Sequence, residues 1–174
     1  MSVSSEVDGD VYSEGDTIFF FCDVENETVL TLCRELKKMS LKYETIKIAI
    51  NSVGGDLYAG FAAMDFIRGL NIRVETIVYG FCASAATFIL MAGTVRKMGK
   101  NSWVLIHQLT TGYEGSYQDL RADMKTNKKL MKQFKELYTT YTNLPPEKIE
   151  ELMKRDITYS SSRCLKYKVV DEVF

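Results

Sequence analysis

The chain has 174 residues, of which 46% are apolar and 26% charged, with a formal net charge of -1. That length suits one domain with a full core, and the interspersed charges leave no basic stripe of the kind a nucleic-acid binder carries. The longest apolar stretch, Phe81 to Ala92, falls well short of the roughly 20 residues a membrane-spanning helix needs, and the start, MSVSSEVDGD, has no basic signal-peptide region. These features predict a cytoplasmic protein without nucleic-acid or membrane partners.

Residues 1–16 are polar and predict a flexible arm ahead of a single domain over 17–174. Ile18 to Phe21 is a short β-favouring run and predicts a buried strand. Val29, Leu32, Cys33, Leu36 and Met39 recur at helical spacing, so Thr28 to Met39 predicts a helix with Asn26 or Thr28 as its N-cap. Ile46 to Ile50 predicts a second strand, and Asn51 to Gly55 a turn. A helix over Leu57 to Leu70 would turn Leu57, Phe61, Met64, Phe66 and Ile67 inward. Strand Val74 to Tyr79, a small-residue helix from Ser84 to Met91 and strand Trp103 to Ile106 come next. Strand and helix thus alternate, the pattern of an α/β fold with a parallel sheet and right-handed crossovers.

The second part changes character. Leu120 to Tyr141 is one amphipathic segment that would extend roughly 33 Å as a helix. Its apolar stripe (Leu120, Met124, Leu130, Met131, Phe134, Leu137, Tyr138, Tyr141) is long for one small core. It could meet another subunit or lie along its own sheet. Asn143 to Pro146 ends it, Pro146 suits the first turn of a short helix to Lys154, and Val169 to Val173 closes the chain as a strand. Cys22, Cys33, Cys82 and Cys164 form no C-x-x-C pair, and there is one histidine, so buried thiols are expected and no metal site.

Three places could carry chemistry. Ser84 stands where a strand gives way to a small-residue helix, so helix N-terminal amides could stabilise an oxyanion beside it. A serine there also reads as a helix cap or a packing choice. His107 closes an apolar strand, where side chains of a parallel sheet converge on a cleft, and a serine nucleophile needs such a base. A lone histidine at a sheet edge is the plain alternative. Gly54-Gly55 comes directly after a strand and could bring backbone amides close to a ligand or simply turn. Neither phosphate-loop glycine pattern is present. Asp156 and Asp171 both remain candidates for an acid that orients the histidine.

In order along the chain, Ile50-Asn51-Ser52-Val53-Gly54-Gly55, Gly80-Phe81-Cys82-Ala83-Ser84-Ala85-Ala86, Leu105-Ile106-His107-Gln108, and Arg155-Asp156 with Val169-Val170-Asp171-Glu172-Val173 resemble the motifs of the Clp protease proteolytic-subunit family over residues 18 to 174. The resemblance implies the Clp-protease/crotonase-like α/β fold: repeated β-β-α units, a parallel sheet core and a protruding long handle helix (approximately 111–142, with the Tyr113–Tyr117 stretch before the helix). It implies a serine endopeptidase without cofactor, with Ser84 as nucleophile, His107 as general base and Asp156 as orienting acid. Gly55 and Ala85 would supply the oxyanion hole, and Gly54 and Gly55 would line an extended substrate. The implied partners are an unfolded or delivered polypeptide and further copies of the chain, stacked through the handle as a heptameric ring or double ring.

Departures from the family pattern are informative. Val53 replaces a proline, and Leu109-Thr110-Thr111-Gly112 replaces the usual P-x-G-G. Lys47 and Ala49 stand where aromatic residues help dock an AAA+ unfoldase, and the family's C-terminal tail is missing after Phe174. These differences argue against a standard unfoldase partner and suit a shortened, divergent member carried by a phage or other mobile element. Two other functions fit the pattern: a phage head-maturation protease using the same triad, and a crotonase-type acyl-CoA enzyme sharing the fold.

Overall fold

Between Thr17 and Met98 successive strands are joined by a helix that carries the chain back to start the next strand alongside and parallel to the last. The computed structural model describes residues 11–112 and 114–174. In chain order the elements are β1 (Val11–Glu14), β2 (Thr17–Phe20), α1 (Asn26–Met39), β3 (Thr45–Ser52), α2 (Leu57–Arg68), β4 (Arg73–Ala83), α3 (Ala86–Ala92), β5 (Val95–Met98), β6 (Trp103–Ile106), α4 (Tyr117–Tyr141), α5 (Pro146–Lys154), β7 (Ile157–Ser160), α6 (Ser161–Lys166) and β8 (Glu172–Val173). The main sheet runs β1-β2-β3-β4-β5-β8, and β6 joins β4 and carries β7. Pairings are parallel except β1 with β2 and β6 with β7. This is the α/β architecture with a long helix that the sequence predicts.

Several local expectations are corrected. Residues 11–16 are not a loose arm: Val11 to Glu14 pairs with Thr17 to Phe20 as a hairpin, and Val11 is buried. Residues 1–10 of the expected arm, and Tyr113 of the expected handle, lie outside the described residues. Helix α1 is capped from Glu25, not Asn26 or Thr28, because Thr28 Oγ1 accepts the Glu25 N–H at 3.0 Å and donates to the Asp23 carbonyl at 2.8 Å. The inner face of α2 is Ala59, Gly60, Ala63, Met64 and Ile67, while Leu57, Phe61 and Phe66 are only half-buried. Small residues face inward there because α2 and α3 approach closely: a Cβ on Gly60 would lie 3.1 Å from the Cβ of Ala85. Strands β5 and β7 and helix α6 were not predicted from the sequence. The closing strand shrinks to Glu172–Val173, with Val169 and Val170 buried ahead of it. Cys82 and Cys164 are buried, but Cys22 and Cys33 are only half-buried. Burial pushes the Cys164 thiol up to about 12 and raises that of Cys82 as well, so both behave as small apolar side chains.

The largest correction concerns β4, which does not stop at Tyr79 but runs on to Ala83. Its register against β3 shifts, with Ile50 opposite Val78 but Ser52 opposite Cys82. The extra residues form a bulge at Gly80 (φ 76°), and the Asn51 side chain accepts the Phe81 N–H at 3.1 Å. Before the bulge β4 pairs with β5; after it, Phe81, Cys82 and Ala83 pair with Trp103, Val104 and Leu105 of β6. A bulge bends its strand and re-aims the residues beyond it. Here it directs the end of β4 away from the main sheet and toward the histidine strand.

Helix α4 divides along its length. Phe134 and Tyr138 near its end are buried, with Phe134 edge-on to Phe61 and Phe88, while Tyr117, Leu120 and Met124 near its start are exposed. Only its second half is packed on this chain's own core.

Candidate active site

Ser84 comes immediately after β4 and has φ 53°, a left-handed conformation that non-glycine residues rarely adopt. Its backbone is held at both ends. The N–H donates to the Leu105 carbonyl at 3.0 Å, and the carbonyl accepts the Thr87 N–H at 3.0 Å and the Thr87 hydroxyl at 2.6 Å. Helix α3 begins at Ala86, so Ser84 is not its N-cap; it stands on a sharp strand-to-helix turn. A side chain presented on such a strained turn is the geometry of a nucleophile elbow.

The two glycines after β3 are positioned by close approach. Gly54 (φ 96°) leaves no room for a side chain: a Cβ there would lie 2.6 Å from the Ser84 Cβ and 2.7 Å from the Ala83 carbonyl oxygen. Gly55 (φ 145°) sits against Val24, whose N–H donates to the Gly54 carbonyl at 2.8 Å and whose carbonyl accepts the Asp56 N–H at 2.6 Å. In a parallel bridge of that pattern, the N–H and C=O of the middle residue point away from the partner strand. The Gly55 amide therefore faces the side opposite Val24.

His107 comes directly after β6, two residues beyond Leu105, and is half-buried. Strand β7 runs antiparallel to β6 with Ile106 opposite Ile157, so Asp156, the residue before Ile157, leaves the ladder beside His107. Asp156 is exposed and centres a tight turn in which the Ile157 N–H donates to the Arg155 carbonyl at 2.9 Å. Ser84, His107 and Asp156 thus sit at the ends of three adjoining strands, β4, β6 and β7. Among the described residues, no hydrogen bond joins the three side chains.

Asp171, the other candidate acid, is engaged elsewhere. Its carboxylate takes the Arg96 guanidinium at 2.9 Å and 3.1 Å and the Arg96 backbone N–H at 2.9 Å. Burial alone would raise its pKa, but these bonds outweigh it and hold the carboxyl below the usual range. Arg96 also donates to the Tyr141 carbonyl. Asp171 is therefore committed to joining β5, the end of α4 and the C-terminal segment.

A cavity of about 320 Å³ opens at Ser84, and Gly55, Ala85 and His107 line it with the serine. Gly54 and Asp156 do not. Its apolar wall comes from Leu57, Phe88, Leu130 and Phe134, and Tyr138 and Asn127 also line it. Phe134 reads in the sequence only as one position of an apolar stripe, and Phe88 carries no separate signal there. What marks them as cavity wall is the crossing of α3 and α4, which periodicity does not record.

A serine on a strained strand-to-helix turn, sharing a cavity with a strand-end histidine, Gly55 and Ala85, is the kind of arrangement a serine hydrolase uses. Comparison with known proteins narrows that class. The Clp protease family pattern matches residues 6–174. The chain is also similar to an ATP-dependent Clp protease proteolytic subunit of Deinococcus radiodurans, with 33% identity over 171 residues, covering 94% of this chain and 84% of that protein. The chain belongs to the Clp protease family and is a serine peptidase. Among the described residues, no helix is long and apolar enough to cross a membrane.

Proposed function

We propose that the chain is an endopeptidase that cuts unfolded or delivered polypeptides inside an oligomeric barrel of its own copies. The observation that carries the reading is the cavity shared by Ser84, His107, Gly55 and Ala85. In this reading the Ser84 hydroxyl attacks the scissile carbonyl carbon while His107 takes its proton. His107 then passes the proton to the leaving amine, and water, deprotonated by His107, releases the acyl group from Ser84. Asp156 holds the imidazole from the far side, a role supported by its position next to His107 at the end of the β6–β7 ladder. Hydrogen bonds among such groups tighten when substrate binds. The outward-facing Gly55 amide and the Ala85 amide receive the oxyanion. An extended substrate would lie along Gly54 and Gly55 as an added strand, with an apolar P1 side chain against Phe88, Leu130 and Phe134.

The exposed first half of α4 supports assembly through that helix, as a heptameric ring or double ring. A standard apolar unfoldase-docking face is not favoured. Lys47 is ion-paired with Asp16 at 2.8 Å, Glu75 lies between Arg73 and Lys97, and a partner there would have to desolvate these pairs.

A fluorophosphonate probe tests the chemistry. Wild type should be labelled at Ser84, and Ser84→Ala should neither label nor cleave an unfolded-protein substrate. Equal labelling of the two would overturn the assignment. Negative-stain images of the purified protein should show rings or stacked rings; a uniform monomer would remove the barrel from the proposal.

A further inference from the structure

Behind Ser84 lies a polar relay that the triad reading does not use. The Thr87 hydroxyl has one proton, and it goes to the Ser84 carbonyl at 2.6 Å. The same oxygen lies 2.7 Å from the Tyr138 hydroxyl. With its proton committed, Thr87 can only accept there, so Tyr138 is the donor. The order is fixed: Tyr138 to Thr87 to the Ser84 carbonyl. Tyr138 is 2% and Thr87 1% exposed, and burial raises the phenol pKa, so the donor keeps its proton.

The carbonyl at the end of this relay belongs to the peptide unit that joins Ser84 to Ala85. A trans peptide is planar, with C=O and N–H on opposite sides. Whatever sets the direction of the Ser84 carbonyl therefore sets the direction of the Ala85 amide. With the Thr87 N–H at 3.0 Å, the carbonyl accepts two hydrogen bonds, and the peptide plane has little freedom to tilt. That rigidity is needed because Ser84, at φ 53°, occupies a backbone region it would otherwise leave.

We infer that Tyr138 and Thr87 are positioning residues, which hold the Ser84–Ala85 peptide so that its N–H points at the developing oxyanion. This rests on the proposed roles of Ser84 and Ala85. Because Tyr138 lies on α4, the relay also ties the helix proposed for assembly to the catalytic peptide. A helix shift that withdrew the phenol would loosen the oxyanion donor from behind, through the backbone of Ser84.

The test compares Thr87→Val, Thr87→Ser, Tyr138→Phe and the double Thr87→Val/Tyr138→Phe by peptide turnover, thermal melting and inhibition by a peptide aldehyde, whose adduct needs the oxyanion donors. Loss of a whole oxyanion donor costs about 100- to 1,000-fold in kcat, so loosening one should cost roughly 10- to 30-fold in Thr87→Val, with KM within about twofold. Aldehyde affinity should fall in parallel, and Thr87→Ser should restore both. Thr87→Val leaves a buried phenol without its acceptor and should melt earlier. The double variant removes both polar groups and should recover melting temperature but not kcat. A purely structural pair would recover both together, and that result would overturn the inference, as would wild-type kcat in Thr87→Val. If the fluorophosphonate fails to label Ser84 in wild type, the underlying assignment fails instead, so the two failures are distinguishable.

Discussion

Gly54 and Ser84 touch so closely that a single added carbon on the glycine would lie 2.6 Å from the serine Cβ. The obstruction includes the Ala83 carbonyl, which is backbone and cannot swing aside, and Gly54 itself sits at φ 96°. Gly54→Ala should therefore displace the turn that presents Ser84. The expected result is a stability loss of about 2 kcal/mol or more in urea unfolding and a kcat at least about 100-fold lower in the folded fraction. Gly55→Ala would drive its Cβ into the Val24 carbonyl and should behave similarly.

The two late carboxylates should separate cleanly. Asp156→Asn removes an exposed charge beside His107 and should leave melting unchanged while lowering kcat roughly 100- to 10,000-fold, as expected for loss of an orienting acid. Asp171→Asn should do the reverse. Its folded form should melt earlier, and the surviving fraction should turn over peptide at nearly the wild-type rate.

The Arg96–Asp171 pair also predicts a pH dependence. The folded carboxyl titrates below its unfolded value, so its stabilisation is present above the unfolded pKa of about 3.9 and is lost as pH falls through the lower folded value. Wild type should lose more stability than Asp171→Asn between about pH 4 and 2. Urea midpoints measured across that range check it, and identical slopes would remove Asp171 as the cause.

On α4, Leu120 is 43% exposed and Met124 59% exposed, one turn apart on the same side. Leu120→Glu with Met124→Glu should leave the circular dichroism spectrum and the melting of the isolated subunit intact. Sedimentation velocity should show a smaller assembly. Unchanged sedimentation would place the assembly contact elsewhere.

Much of the fold was legible because burial imposes periodicity. The spacing of Val29, Leu32, Leu36 and Met39 marked α1, and the run at Ile46–Ile50 marked β3, since each must hide one face from water. The break at Gly80 misled because glycine signals a turn locally, whereas here it carries a bulge inside one strand, supported by Asn51 thirty residues from Phe81 in sequence. Strands β5 and β7 leave little sequence signal because Val95-Arg96-Lys97-Met98 and Ile157-Thr158-Tyr159-Ser160 are short and half-polar. Their existence depends on the β4 and β6 edges offered to them.

The site divides in the same way. Sequence alone determined which residues were available for chemistry: one histidine, a serine at the close of an apolar run and paired glycines after a strand. These are choices of residue type, and order along the chain carries them. Spacing alone does not separate Asp156 from Asp171, although the resemblance of Arg155-Asp156 to the family motif favours Asp156, and nothing in the order of residues pairs Thr87 with Tyr138. Tertiary structure adds what order along the chain does not carry. Arg96 occupies Asp171, the β6–β7 ladder leaves Asp156 beside His107, and the crossing of α3 and α4 puts a buried phenol behind the serine's own peptide. Hydrogen bonds act over about 3 Å of space, whatever the separation along the chain.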